Sequence, residues 1–323
     1  MKVAANWSGG KDCCLSLYNV VNQGYEVSTL LNFSFKDFAA GQWAPVSFSS
    51  VLKYMIRDNS STSLKNTAHK VSMLSSLALR EIVKRTPTQL AAPMGKAFGG
   101  LGTKPSNEVT NIIGAVKVNA SRRMVPHEVS AEIVALQAKA MGVPIKQVYL
   151  NWVGFEQAFR DTVSKMAKED VEGGIVWGMI PPDPVLDHPR KMKKYMNLKV
   201  QYDWINKLSS DLGVKAVLPL MGYTGEKILT ELVEKGFEVL VVVVNPDFVG
   251  EEWLGHTIDK DFIDYMRKLN VEQGIHMAGD EFHSFVADCP MFKKRIKITK
   301  SQKVSKDGYS IFDMQKAELV AKN

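Results

Sequence analysis

Trp7-Ser8-Gly9-Gly10-Lys11-Asp12-Cys13-Cys14 follows a short apolar run, Val3-Ala4-Ala5, and opens a stretch with Leu15, Leu17, Val20 and Val21 in a helical pattern. A Ser-Gly-Gly turn between strand and helix presents backbone N–H groups at the positive end of the helix, a setting that suits phosphate or pyrophosphate. Gly9 and Gly10 let the backbone turn tightly and approach an anion closely. Ser8 adds a hydroxyl and Lys11 a positive charge. Asp12 is out of place in a purely anion-binding turn and fits a divalent cation accompanying the phosphates. The spacing is not that of the Gly-x-x-x-x-Gly-Lys-Ser/Thr nucleotide loop. An ordinary glycine turn is the plainer reading; strand, five-residue motif and helix standing together weigh against it.

The rest of the chain repeats the strand–helix rhythm. Residues 26–33 read as a strand, 130–140 as a helix, 148–150 as a strand, 157–167 as a helix and 174–177 as a strand. Residues 199–212, 216–220, 225–235 and 238–244 continue as helix, strand, helix and strand. Such alternation predicts an α/β fold with a doubly wound, mainly parallel sheet. Ligands of such sheets bind at the carboxyl ends of the strands, where Ser8 to Asp12 fall. Two stretches break the rhythm. Residues 34–120, with helix-like runs at 47–57 and 66–85 and a Gly/Pro-rich passage, read as a large helical insertion. A small subdomain or a homodimer contact explains the 66–85 pattern equally well. Residues 181–196 carry four prolines and then the basic run 190–194, and read as a loop over the site.

Bulk properties narrow the classes. At 323 residues, 45% of them hydrophobic, the chain holds one large or two modest domains with ample core. Its longest apolar run, 239–244, has the length of a buried strand and not of a membrane span. No signal-peptide pattern precedes the glycine turn. Three cysteines, two of them adjacent, make no disulfide framework, so a cytoplasmic location is expected. The net charge of +7 gathers partly at 190–194 and 293–300; solvated surface is the preferred reading there, ahead of RNA or an acidic protein. Cys13 sits where a helix N-terminus lowers a thiol pKa, but no second well-spaced cysteine supports sulfur relay.

Several separated segments share a family likeness. Ser8-Gly9-Gly10-Lys11-Asp12 resembles the loop of the ATP pyrophosphatases, which cleave ATP between its α and β phosphates. With Leu136-Gln137-Ala138-Lys139-Ala140-Met141-Gly142, Asn245-Pro246, Glu281-Phe282-His283-Ser284-Phe285 and Asp288-Cys289-Pro290, the chain resembles the diphthine–ammonia ligase family. The resemblance implies a HUP-like ATP-binding domain, residues 1–222 with the inserted element, and a smaller α+β acceptor domain, residues 223–323. It implies ATP and Mg²⁺ as cofactors, ammonia as a substrate, elongation factor 2 carrying diphthine as acceptor, and amide formation through an adenylated carboxylate. By position, Ser8, Gly9, Gly10 and Lys11 would hold the phosphates, Asp12 would place the metal, and Asn32 would lie near the adenosine. Lys11, Asp12, Glu281 and His283 are the catalytic candidates, the last two for acceptor or ammonia handling. Three positions depart from the family pattern. Cys13 replaces a usual Ser, Gly178-Met179-Ile180 replaces Gly-Asp-Ile, and 277–282 shortens a Gly-Glu-x-Gly-Glu-aromatic run. A diverged enzyme adenylating a small metabolite or a tRNA base, and a non-catalytic nucleotide-binding protein, are the alternatives.

Overall fold

The computed structural model describes residues 1–35, 129–150, 155–279, 281–306 and 308–322. The expectations for 36–120, His127, Glu128 and Asp280 lie outside the described residues. The described residues fall within one compact unit that carries two sheets. The first has five parallel strands in the order β3-β2-β1-β4-β5. They are β1 (Lys2–Asn6), β2 (Glu26–Phe35), β3 (Ile145–Leu150), β4 (Ile175–Val176) and β5 (Ala216–Val217). The order reverses at β1, with β2 on one side and β4 on the other, so the turn after β1 opens at the switch point. Val3, Ala4 and Ala5 are covered on both faces, which is why β1 reads as an unbroken apolar run without alternation.

Among the described residues, five helices connect or flank these strands: α1 (Lys11–Asn22), α2 (Ala131–Met141), α3 (Phe155–Val163), α4 (Pro189–Asp211) and α5 (Gly225–Glu234). α1 turns Cys14, Leu15, Leu17 and Val20 inward. The Ser130 side chain caps α2 and Thr224 caps α5, each accepting from the N–H three residues on. An aromatic cluster joins β2, α3, β4 and α4: the Phe159 and Trp177 rings lie 5.0 Å apart, and Trp204 donates to Glu156. Each such ring pair adds about 0.5–1.5 kcal/mol beyond the area it buries.

α4 begins ten residues earlier than the sequence pattern predicts. Pro189 takes the first helical position, where its missing N–H is no loss, and the His188 ring accepts from Arg190 N–H. The basic run 190–194 is therefore helical, and only 181–188 are irregular.

The second sheet is antiparallel, order β7-β6-β9-β8, from β6 (Glu238–Val244), β7 (Phe282–Asp288), β8 (Arg295–Lys306) and β9 (Tyr309–Val320). Helix α6 (Lys260–Gln273) starts on the Asp259 cap and packs Phe262 edge-on against Phe282. The expected α/β architecture with a C-terminal α+β portion is thus what the chain adopts. Among the described residues no helix is long and apolar enough to cross a membrane.

Candidate functional site

Residues 7–12 leave the carboxyl end of β1 and enter α1 at Lys11. Gly9 takes φ +82°, and a Cβ there would come within 2.7 Å of Gln137 Oε1. On the other flank, a Cβ on Gly178 would lie 2.5 Å from Cys13 N, so the segment after β4 lies directly against the first turn of α1. Both positions need glycine for close approach.

Gln137 of α2 is the hub beneath the turn. It is fully buried, accepts from Trp7 Nε1 at 2.9 Å, and donates to the Gly9 carbonyl at 2.9 Å and the Val286 carbonyl at 2.8 Å. Val286 N–H of β7 also donates to the Gly9 carbonyl, at 3.0 Å. Ser284 Oγ accepts from Lys11 N–H at 3.1 Å, a cap for α1 supplied by the other sheet. Gly10 is the N-cap residue of α1 and has no side chain to do this.

The Lys11 side chain is buried. Its ammonium donates to Asp12 Oδ2 at 2.9 Å and to the Ala278 carbonyl at 3.2 Å, and stands 4.9 Å from the centre of the Phe282 ring. Ala278 N–H donates to His276 Nδ1, which leaves the His276 proton on Nε2, pointed at the Pro181 carbonyl 2.9 Å away. Asp183 Oδ1 lies 3.8 Å from the same nitrogen. Burial lifts the Asp183 carboxyl above its ordinary range, against the pull of Lys191, Asn270 and Lys194. A chain of polar contacts therefore runs from the irregular segment 181–188 through His276 and Ala278 to Lys11. Arg190 stacks its guanidinium 4.4 Å over the Phe248 ring, and Lys191 pairs with Asp187 at 2.9 Å.

Ser8 Oγ lies 3.4 Å from Gly10 N and 3.5 Å from Cys13 Sγ. Burial alone would raise the Cys13 thiol; hydrogen bonds from Cys14, Ser8 and the Ser8 and Gly9 N–H groups outweigh it and hold the thiol below its usual value. Burial pushes Cys14 well up and Cys289 up to about 12.

Asn32 is buried at the carboxyl end of β2. Its amide donates to the Trp7 carbonyl at 3.0 Å, and its Oδ1 accepts from Ser34 Oγ and Gln147 Nε2, linking the ends of three strands. The Glu281 carbonyl accepts from Asn245 N–H at 2.8 Å, just before β7. Strand alternation sends His283 to the face of β7 opposite Phe282 and Ser284, the two residues that meet Lys11. Ser8 to Asp12 thus form one cluster with Gln137, Ser284, Phe282 and Ala278, and His283 is directed away from it. Sequence reading missed Gln137, Ser284 and His276 as site residues. The one local signal was a glutamine on the apolar face of α2, between Val134 and Ala138.

Among the described residues no group of three or more His, Cys, Asp or Glu side chains is arranged to hold a metal ion unaided. A single carboxylate such as Asp12 suits Mg²⁺ that shares its coordination with substrate phosphates.

Residues 224–320 match the family model for the diphthamide synthase C-terminal domain. The chain is 26% identical over 191 residues to the human diphthine–ammonia ligase, covering 53% of this chain and 64% of that protein. It is 30% identical over 86 residues to the rat diphthine–ammonia ligase, covering 24% of this chain and 30% of the relative. The chain thus spans less than two thirds of the length of these curated relatives. These matches bear out the family likeness read from the sequence. A solved structure described as a predicted subunit of tRNA methyltransferase from Methanocaldococcus jannaschii aligns over 90% of this chain and 98% of its own, with 12% identity and a TM-score of 0.33.

Proposed function

We propose that the chain is an ATP-dependent ligase of the diphthine–ammonia ligase type, joining ammonia to a carboxylate through an acyl-adenylate. The observation that carries this reading is one coupling: β7, within the segment matched to the diphthamide synthase C-terminal domain, caps and pairs with the Ser8–Asp12 turn. A carboxylate is a poor acyl donor until one of its oxygens belongs to a good leaving group. Attack of the acceptor carboxylate on the α-phosphate releases pyrophosphate and makes that leaving group AMP; ammonia then displaces it to form the amide.

The chain's part is positioning and charge stabilisation. Ser8, Gly9 and Gly10 would hold phosphate oxygens through main-chain N–H groups and the Ser8 hydroxyl. Lys11 would keep positive charge beside the turn while fastening it to Ala278. Asp12 would hold Mg²⁺, which neutralises phosphate charge when bound. Asn32, which fixes the Trp7 carbonyl, would set the height of the turn beside the adenosine. Glu281 would serve the acceptor and ammonia from the C-terminal side, and His283, on the face of β7 opposite Phe282 and Ser284, would act on the acceptor away from the phosphates. Residues 1–222 would be the nucleotide half and 223–323 the acceptor half of a cytoplasmic enzyme acting on diphthine-bearing elongation factor 2.

The test is ATP cleavage with Mg²⁺ and ammonium, with and without that acceptor, resolving AMP from ADP. The reading expects AMP and pyrophosphate only when the acceptor is present. ADP as product, or no acceptor-dependent AMP, would overturn it. Glu281→Ala is expected to impair amide formation more than ATP binding.

A further inference from the structure

The β8–β9 ribbon leaves the sheet that roots it. β6 pairs with β9 only at Val243↔Ile311 and Val244↔Ser310. Earlier in β6 its partners are residues 256–258: Leu240 bridges Thr257, Val241 N–H donates to the His256 carbonyl, and Ile258 N–H to the Val239 carbonyl. Phe312 fills the divergence, packed so closely on Gly255 that a Cβ there would lie 2.8 Å from its ring. Beyond it β8 and β9 run on as a two-stranded ribbon, with α2 packed at its base and Lys293 N–H bonded to the Ala140 carbonyl.

The outer strand of this ribbon has one chemistry. β8 carries Lys297, Lys300, Lys303 and Lys306 and no carboxylate; its Arg295 is taken up by both carboxylate oxygens of Glu238, and Lys303 donates to the Glu251 carbonyl at 3.4 Å. Thr299, Lys300, Ser301, Gln302 and Lys303 are exposed in succession, all of them hydrogen-bond donors and none a large apolar side chain. On β9, Asp313 is engaged by the Gln302 and Gln315 amides, and Glu318 stands opposite Lys297. Lys316 stands directly opposite Lys300.

Lysines on an edge strand can serve simply to block edge-to-edge pairing. That role does not account for a like-charge pair across the ladder, which is destabilising in isolation. Paired lysines gain from a polyanion laid over them. A protein partner needs apolar anchors at the centre of its contact, and the exposed run offers none. Single-stranded nucleic acid needs exposed aromatic side chains on which to stack, and the run offers none of those either. Lys, Ser, Thr and Gln donors on both faces of a run about 17 Å long match a phosphate backbone, contacted without reading bases.

We propose that the β8–β9 ribbon docks on the phosphate backbone of a double-stranded nucleic acid, independently of its sequence. The test is fluorescence anisotropy of the full chain with a labelled RNA duplex, the matching DNA duplex and a scrambled duplex. Each is titrated across salt concentrations, with the wild type and with K300Q/K303Q/K316Q. Saturable binding is expected, micromolar or weaker at physiological salt, equal for the scrambled sequence. In the triple variant affinity at low salt falls roughly tenfold or more, and the slope of log K against log salt drops by about 2–3. The RNA and DNA arms identify the source of the duplex. Circular dichroism should be unchanged and the thermal midpoint should not fall, because all three side chains are exposed and the variant removes the like-charge pair. No saturable binding at low salt, equal binding by the variant, or displacement by polyglutamate as effective as by unlabelled duplex would each overturn the proposal. The measurement uses no ATP, so its failure leaves the ligase reading untouched.

Discussion

The parallel sheet presents the turn at residues 8–12, and the antiparallel sheet holds it. On the first side the contribution is main chain: the end of β1, the first turn of α1 and the close passage of Gly178. On the second side it is the Ser284 hydroxyl, Val286 N–H, the Ala278 carbonyl and the Phe282 ring. Gln137 of α2 ties the two together beneath the turn. A glycine turn of this kind can form from local sequence alone, but its N–H groups would then be free to reorient. Contacts from far along the chain fix where they point, and fixed dipoles are what stabilise developing charge.

The sharpest way to break this division of labour is on the presenting side. Asp12→Asn keeps shape and removes the charge, and is expected to lower acceptor-dependent AMP formation at least about 100-fold. Because the variant also strips the buried Lys11 ammonium of its carboxylate, a loss of roughly 1–3 kcal/mol is expected by urea unfolding, less than for a fully buried pair since Asp12 is 22% exposed. Near-normal turnover would remove Asp12 from the site.

On the holding side, Gln137→Leu fills the same space and strips the hub of its hydrogen bonds, leaving Trp7 Nε1 and the Val286 carbonyl without the amide and the Gly9 carbonyl with Val286 N–H alone. Each orphaned buried group costs about 1–3 kcal/mol, so a loss of about 3 kcal/mol is expected in the unfolding free energy. A loss below about 1 kcal/mol would mean the two sheets do not depend on this link. Ser284→Ala removes a helix cap lent across sheets and should cost about 1 kcal/mol by the same measurement.

The smallest effect concerns alkaline pH. Cys289 stays protonated in the fold up to about 12, whereas an unfolded thiol titrates near ~8.5. Between those values the unfolded chain has lost a proton that the folded chain keeps, so stability falls as pH rises. Comparing Cys289→Ala with wild type should show a gap that shifts in the variant's favour above about pH 9, by at most about 1.4 kcal/mol per pH unit. Parallel stability curves would contradict the burial effect on this thiol.

β1 and β4 were legible because they are short unbroken apolar runs, and the turn because it is a contiguous motif. β8 was not, since its outward positions are polar and its inward ones few, with Ile296 alone fully buried. The start of α4 was misread because Pro181, Pro182, Pro184 and Pro189 look alike in sequence, though Pro189 begins a helix and the other three do not. Gln137 was beyond reach for a different reason. Its partners lie 128 to 149 residues away, and nothing in its own neighbourhood announces them. His276 likewise takes its role from Pro181, 95 residues earlier.

The central claim is that the turn at 8–12 holds ATP while β7 holds the turn. Amide hydrogen exchange, followed residue by residue with and without ATP and Mg²⁺, tests both halves at once. Exchange should slow at Gly9 to Cys13 on adding nucleotide, and at Ser284 to Val286 along with them. Unchanged exchange across residues 8–13 in the presence of saturating nucleotide would contradict the account.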